Sequence, residues 1–92
     1  MKSIYKYEVP LSGEVTVPFG AKLLTVQVQG ESIQAWFKVD KDAADDISVE
    51  KDTKQLYIIP TGGEFEDLAL KYLTTIQLCA GSVVFHVFED EV

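Results

Sequence analysis

The stretch Lys22-Leu23-Leu24-Thr25-Val26-Gln27-Val28-Gln29-Gly30-Glu31-Ser32-Ile33-Gln34-Ala35-Trp36-Phe37-Lys38-Val39-Asp40 decides the fold class. Successive side chains of a strand point to opposite faces, so a half-buried strand separates into one apolar list and one polar list. Both sides of Gly30 do so. In 22–29 the inward list is Leu24, Val26 and Val28, and Thr25, Gln27 and Gln29 point the other way. In 32–40 the inward list is Ile33, Ala35, Phe37 and Val39, which leaves Gln34, Trp36, Lys38 and Asp40 outside. Two strands with one wetted face each follow. The only tryptophan of the chain sits on the wetted face.

The same rhythm extends in both directions. Turn signals fall at Pro10 to Gly13, Pro18 to Gly20, Gly30, Asp40 to Asp46, Asp52, Pro60 to Gly63 and Gly81. Between them, segments rich in Val, Ile, Tyr, Phe and Thr occupy 3–9, 14–18, 22–29, 32–40, 46–50, 54–60, 72–79 and 82–88, a spacing typical of all-β chains. The competing helical signal is Glu64-Phe65-Glu66-Asp67-Leu68-Ala69-Leu70-Lys71, with acids in its first turn and a lysine at its end. The expected architecture is therefore all-β: a compact, mainly antiparallel β-sandwich or partly open barrel of six to eight short strands. At most one short helix is expected, near 64–71, and residues 1–92 form a single β domain. The segment Asp40-Lys41-Asp42-Ala43-Ala44-Asp45-Asp46 reads as a solvated loop.

Composition narrows the function classes. Ninety-two residues bury only about 60% of their unfolded surface, so a 47% hydrophobic content supports a real but thin core. Self-association through an edge strand or an apolar patch would help such a domain, and a homo-oligomer is expected. Fifteen acidic residues against eight basic ones give a net charge of −7, the reverse of the footprint of a protein that grips polymeric nucleic acid or anionic lipid. Neither partner is expected. The lone Cys79 cannot form an intrachain disulfide, and with no apolar run of signal or membrane-spanning length the expected location is a reducing cytoplasm.

The candidate site follows from the polar strand faces. In 72–79, Thr75 and Gln77 lie opposite Thr74, Ile76 and Leu78, and in 82–88, Val84, His86 and Phe88 lie opposite Val83, Phe85 and Val87. If these strands share a sheet with 22–29 and 32–40, one surface gathers Trp36, Gln27, Gln29, Lys38, Gln77 and His86. A Trp plate stacks planar rings, and glutamines read donors and acceptors on a ring edge. Trp36 packed beneath a loop or second sheet, Trp36 as a protein–protein anchor, and His86 as a hydrogen-bonded strand residue are the plainer readings. Thr61, Gly62 and Gly63 form a possible anion nest of backbone N–H groups, or simply a turn. A single histidine with a single cysteine does not make a zinc site, and Cys79 with His86 is a poor nucleophile–base pair because Cys79 follows an apolar run. No catalytic residue, metal or cofactor is expected.

Several of these residues also carry a resemblance. Ile4-Tyr5-Lys6-Tyr7-Glu8, then Gly20-Ala21-Lys22-Leu23-Leu24-Thr25-Val26-Gln27-Val28-Gln29 followed by Trp36 and Val39-Asp40, a Thr61-Gly62 turn, and the closing Val83-Val84-Phe85-His86-Val87-Phe88-Glu89 resemble a family of small proteins encoded largely by tailed bacteriophages and prophages. Members carry a histidine after the Thr-Gly turn, where this chain has Gly63-Glu64. The resemblance implies residence in a host cytoplasm and transfers no catalytic residue. Together with the polar face it leads to the expectation of a non-enzymatic phage accessory binding protein, used in counter-defence to sequester a small nucleotide-like host signalling molecule. The alternatives are an inhibitor that binds a host protein through an acidic and aromatic surface, and a minor virion or assembly component.

Overall fold

A computed structural model describes residues 1–66 and 69–91. Seven strands alternate along the chain: β1 Lys2–Glu8, β2 Glu14–Pro18, β3 Lys22–Gln29, β4 Ser32–Asp40, β5 Lys51–Pro60, β6 Leu70–Leu78 and β7 Val83–Asp90. They form two antiparallel sheets, β1-β4-β3 and β2-β5-β7-β6, stacked without closing into a barrel. The expected all-β architecture is the observed one.

The core lies between the sheets. From the three-stranded sheet come Val26, Ile33, Ala35, Phe37 and Val39; from the four-stranded sheet come Val15, Val17, Leu56, Ile76 and Val87. Tyr7 packs edge-on against Phe37 with ring centroids 5.7 Å apart. The inward list read for 32–40 is the buried one. That for 22–29 is right at Val26 and Val28 but wrong at Leu24, which is 49% exposed. Register explains the error. Leu23 is opposite Phe37 and Thr25 is opposite Trp36, so Leu24 is the extra residue of a β-bulge and Leu23 takes the inward position.

The β3–β4 connection is Gly30-Glu31, with φ of 59° and 65°, the two left-handed positions of a tight hairpin turn. Glu31 tolerates that backbone while its carboxylate accepts the Cys79 N–H at 2.9 Å, tying this turn to the β6–β7 connection. At Gly13, φ is 81°, and a Cβ there would lie 1.9 Å from the Leu56 carbonyl oxygen, so glycine is required where β2 enters beside β5.

Three expectations need correction. Residues 46–50 are not a strand: the Asp46 carboxylate accepts both the Ser48 N–H at 2.9 Å and the Ser48 hydroxyl at 2.7 Å, an Asx-type turn that outcompetes ladder pairing despite the Ile47-Ser48-Val49 alternation. The solvated loop 40–46 contains a short helix, α1 Lys41–Asp45, because Asp40 caps it by accepting from the Asp42 and Ala43 N–H groups at 3.0 and 3.4 Å. The Tyr5 hydroxyl donates to Asp45 at 2.9 Å and pins the helix to β1. No helix occupies the described part of 64–71, where 64–66 is irregular, Ala69 has φ of 57° and Leu70 opens β6; residues 67 and 68 of that expectation lie outside the described residues.

Candidate functional site

The outward face of β1-β4-β3 centres on Trp36. Its strand is the middle one, and register places Lys6 of β1 on one side of it and Thr25 of β3 on the other. One outward position along, Lys38 lies between Ile4 and Lys22; in the other direction, Gln34 lies between Glu8 and Gln27, and Gln29 faces Ser32. Trp36 and Gln34 are half-buried among these neighbours, whereas Lys6, Lys22, Lys38, Gln27 and Gln29 are exposed. Lys6 Nζ donates across the face to Gln29 Oε1.

Charge is segregated onto this surface. Lys2, Lys6, Lys22 and Lys38 are four of the eight basic residues of the chain, and they share the face with only two of the fifteen acidic ones, Glu8 and Asp40. Among the described residues the ion pairs are the Met1 amine with Asp40 and Asp42, and Lys54 with Asp52, so Lys6, Lys22 and Lys38 have no carboxylate in an ion pair, while Lys2 stands opposite Asp40 and acts on its charge. Lys22 and Lys38 stand directly opposite each other. Like charges in that relation are destabilising unless an anion joins them. Asp40 is held ionised to lower pH than usual, first by the Ala43 N–H and then by the Met1 amine, so its charge is committed to the helix cap.

Gln77 and His86 are on the other sheet. His86 lies on the outward face of β7, half-buried, with Nε2 2.8 Å from the Thr61 hydroxyl and Nδ1 3.0 Å from the Thr75 hydroxyl, which is itself 2.7 Å from the Tyr72 hydroxyl. Both ring nitrogens are thus occupied, and the ring is neither a partner of Trp36 nor a free base for Cys79. Gln77 is exposed on β6, beside Val84. The surface expected from six residues is therefore Trp36, Gln27, Gln29 and Lys38 on one sheet and Gln77 with His86 on the other. The expected site left out Thr25 and Gln34, although both read as outward, together with Lys6 and Lys22. The period-two alternation of Lys2-Ile4-Lys6-Glu8 marks Lys6 as outward, but pairing of β1 with β4 is a long-range contact that no local signal carries.

Two of the three backbone donors proposed for an anion nest at Thr61-Gly62-Gly63 are engaged within the fold. The Thr61 N–H goes to the Val84 carbonyl at 3.3 Å and the Gly63 N–H to the Pro60 carbonyl at 2.8 Å. Between the sheets, a cleft of about 690 Å³ lies over Phe37 and Leu56 and is edged by Lys22, Lys54, Lys71, Glu89 and Asp90. Its charges are of mixed sign: Lys54 pairs with Asp52 at 3.4 Å, and Asp90 accepts the Tyr57 hydroxyl at 3.0 Å. The Tyr57 phenol is raised above its ordinary range, chiefly by that hydrogen bond. No group of three or more His, Cys, Asp or Glu residues suited to a metal comes together among the described residues. Among them, too, no helix is long and apolar enough to cross a membrane.

Comparison with curated proteins finds no match. Comparison with solved structures finds none either. One family does match, over residues 1–92, and the chain belongs to it: Domain of unknown function (DUF7352).

Proposed function

We propose that this protein is a non-enzymatic binding module that takes up a small nucleotide-like anion on the outward face of β1-β4-β3. Trp36 stacks on the ring, Gln27, Gln29 and Gln34 meet its polar edges, and Lys6 and Lys38 meet the anionic group. One observation carries the reading: a chain of net charge −7 gathers Lys6, Lys22 and Lys38, none of them in an ion pair among the described residues, on the face of its only tryptophan. A ring stacked on an aromatic side chain contributes about 1–3 kcal/mol, and each hydrogen bond to a charged group about 1.5–3 kcal/mol. One stack and two such contacts sum to about 4–9 kcal/mol before the entropy of association, which places the dissociation constant no tighter than about micromolar. Sequestration of a host signalling molecule in a host cytoplasm is the use that the phage-family resemblance suggests for such a face.

The rival reading has the acidic segment 40–46 steering the chain to a host protein, with Trp36 as anchor. It is less favoured because three of those four acids serve the fold, Asp40 as helix cap, Asp45 as acceptor of the Tyr5 hydroxyl and Asp46 as acceptor from Ser48.

The single tryptophan makes the test direct. Its fluorescence is followed while adenosine monophosphate, ribose 5-phosphate and inorganic phosphate are titrated in. The expected result is saturable quenching by the nucleotide, weaker or no response to the two ringless anions, and loss of affinity in Lys38→Ala and Lys6→Ala. No saturable response to the nucleotide, or a response unchanged in both lysine variants, would overturn the reading.

A further inference from the structure

We propose that the outward face of β5-β7-β6 is covered by a second copy of this chain, in a weak, two-fold symmetric dimer. The two outer faces of the sandwich differ in kind. Around Trp36, charged or amide side chains fill most outward positions. On the opposite face, the register puts Tyr57 beside Phe88 and Ile59 beside His86 across β5 and β7, with Tyr72 beside Phe88, Thr75 beside His86 and Gln77 beside Val84 across β7 and β6. None of these outward residues is a lysine, aspartate or glutamate; the carboxylate of the face is Asp90, at its edge opposite Leu70. Tyr72 is 54% exposed, and Phe65, whose ring lies 5.1 Å from that of Phe88, is 43% exposed. A contiguous aromatic surface of this kind marks an interaction site on a small protein.

Apart from the exposed amide of Gln77, the polar side chains of the face hydrogen-bond among themselves or to Asp90. The hydroxyls of Tyr72, Thr75 and Thr61 and both ring nitrogens of His86 form one continuous hydrogen-bonded chain, and the Tyr57 hydroxyl is held by Asp90. Covering an unpaired hydroxyl or imidazole costs a lost hydrogen bond to water; covering this chain does not. That part of the surface is therefore cheap to desolvate.

Charge and size favour a second copy as the occupant. Two molecules of net charge −7 repel at most approaches, but this face meets its own image without a charge at its centre. Three strands about 4.8 Å apart and some nine residues long, at about 3.3 Å per residue, make a face of roughly 400 Å². Two copies would bury roughly 800 Å², below the roughly 1,200–2,000 Å² of stable complexes and suited to a reversible dimer. A two-fold axis lets the same patch serve both partners and leaves no further copy to add. Back-to-back pairing leaves both Trp36 faces open on opposite sides, so dimerisation and ligand uptake are independent.

Sedimentation velocity across a micromolar-to-millimolar concentration series tests this with the full chain. The expected result is a concentration-dependent monomer–dimer equilibrium, abolished by Tyr72→Glu and by Val84→Lys and unchanged by Ile4→Glu on the opposite face. Circular dichroism establishes that each variant is folded. Should both patch variants unfold, surface protection of the wild-type chain from a soluble paramagnetic probe, read at low and high concentration, decides the matter: protection growing with concentration at Tyr72, Val84 and Phe88 supports the dimer. A monomer at every concentration, an oligomer larger than a dimer, association insensitive to both folded patch variants, or protection confined to the Trp36 face would each overturn it. Nucleotide quenching of Trp36 is read separately, so the two proposals fail by different observations.

Discussion

At the scale of single residues, Gly13 and Trp36 are opposites. Gly13 has no substitute, because its φ of 81° and the Leu56 carbonyl 1.9 Å from a would-be Cβ both exclude a side chain. A left-handed alanine costs about 1–2 kcal/mol, and relieving the backbone overlap costs about 1–3 more. Gly13→Ala should therefore lower the midpoint of thermal unfolding by about 8–40 °C, at about 4–8 °C per kcal/mol for a domain of this size. Trp36 faces outward on a central strand, so Trp36→Ala should remove nucleotide quenching partners while costing much less stability than the roughly 3–5 kcal/mol of a core tryptophan. Chemical denaturation with and without adenosine monophosphate, followed by circular dichroism, checks both. A collapse of stability in Trp36→Ala would mean the indole is a packing residue.

At the scale of elements, the β3 bulge and the α1 cap show how local devices override a simple alternation. Leu23→Ala should destabilise by about 1–3 kcal/mol, because Leu23 packs on the core, while Leu24→Ala at a half-exposed position should change stability by about 0.5 kcal/mol or less. Equilibrium unfolding of the pair checks the bulge assignment. The α1 cap has a pH signature. The Asp40 carboxyl is held below its ordinary value of 3.8, first by the Ala43 N–H, and Asp46 is held low in the same direction, first by the Ser48 hydroxyl. A carboxyl lowered in the folded state binds protons more readily when unfolded, so its stabilisation is fully present above the ordinary value and is lost as pH falls through the lowered one. Thermal unfolding midpoints should drop with acidification across and below pH 3.8, and the drop should be shallower in Asp40→Asn, which should also be less stable at neutral pH.

For the whole molecule, uneven charge has two consequences of opposite sign. Net self-repulsion at −7 is screened by salt, so stability should rise as ionic strength increases. Binding of adenosine monophosphate at the lysine-rich face should weaken over the same range, since exposed charges lose their reach as the screening length falls below about 10 Å near 0.1 M salt. Thermal melts and Trp36 titrations in a shared salt series check the pair. Affinity that rises with salt would argue against the lysines as the anion-holding groups.

Period-two alternation, turn residues and composition were enough for the sequence by itself to determine an all-β chain, the inward lists of most strands, and Trp36, Gln27, Gln29 and Lys38 as outward residues. Such properties are local, each set by a few neighbours along the chain. Strand order was decided only by the tertiary structure. It set Lys6 beside Trp36, moved His86 and Gln77 to the opposite sheet, and turned Leu24 outward at a bulge visible only in the register with β4. The reason is physical: alternation says that a strand has two faces, but which strands share a sheet depends on contacts between residues distant in the chain, where packing and hydrogen-bond register outweigh local preference.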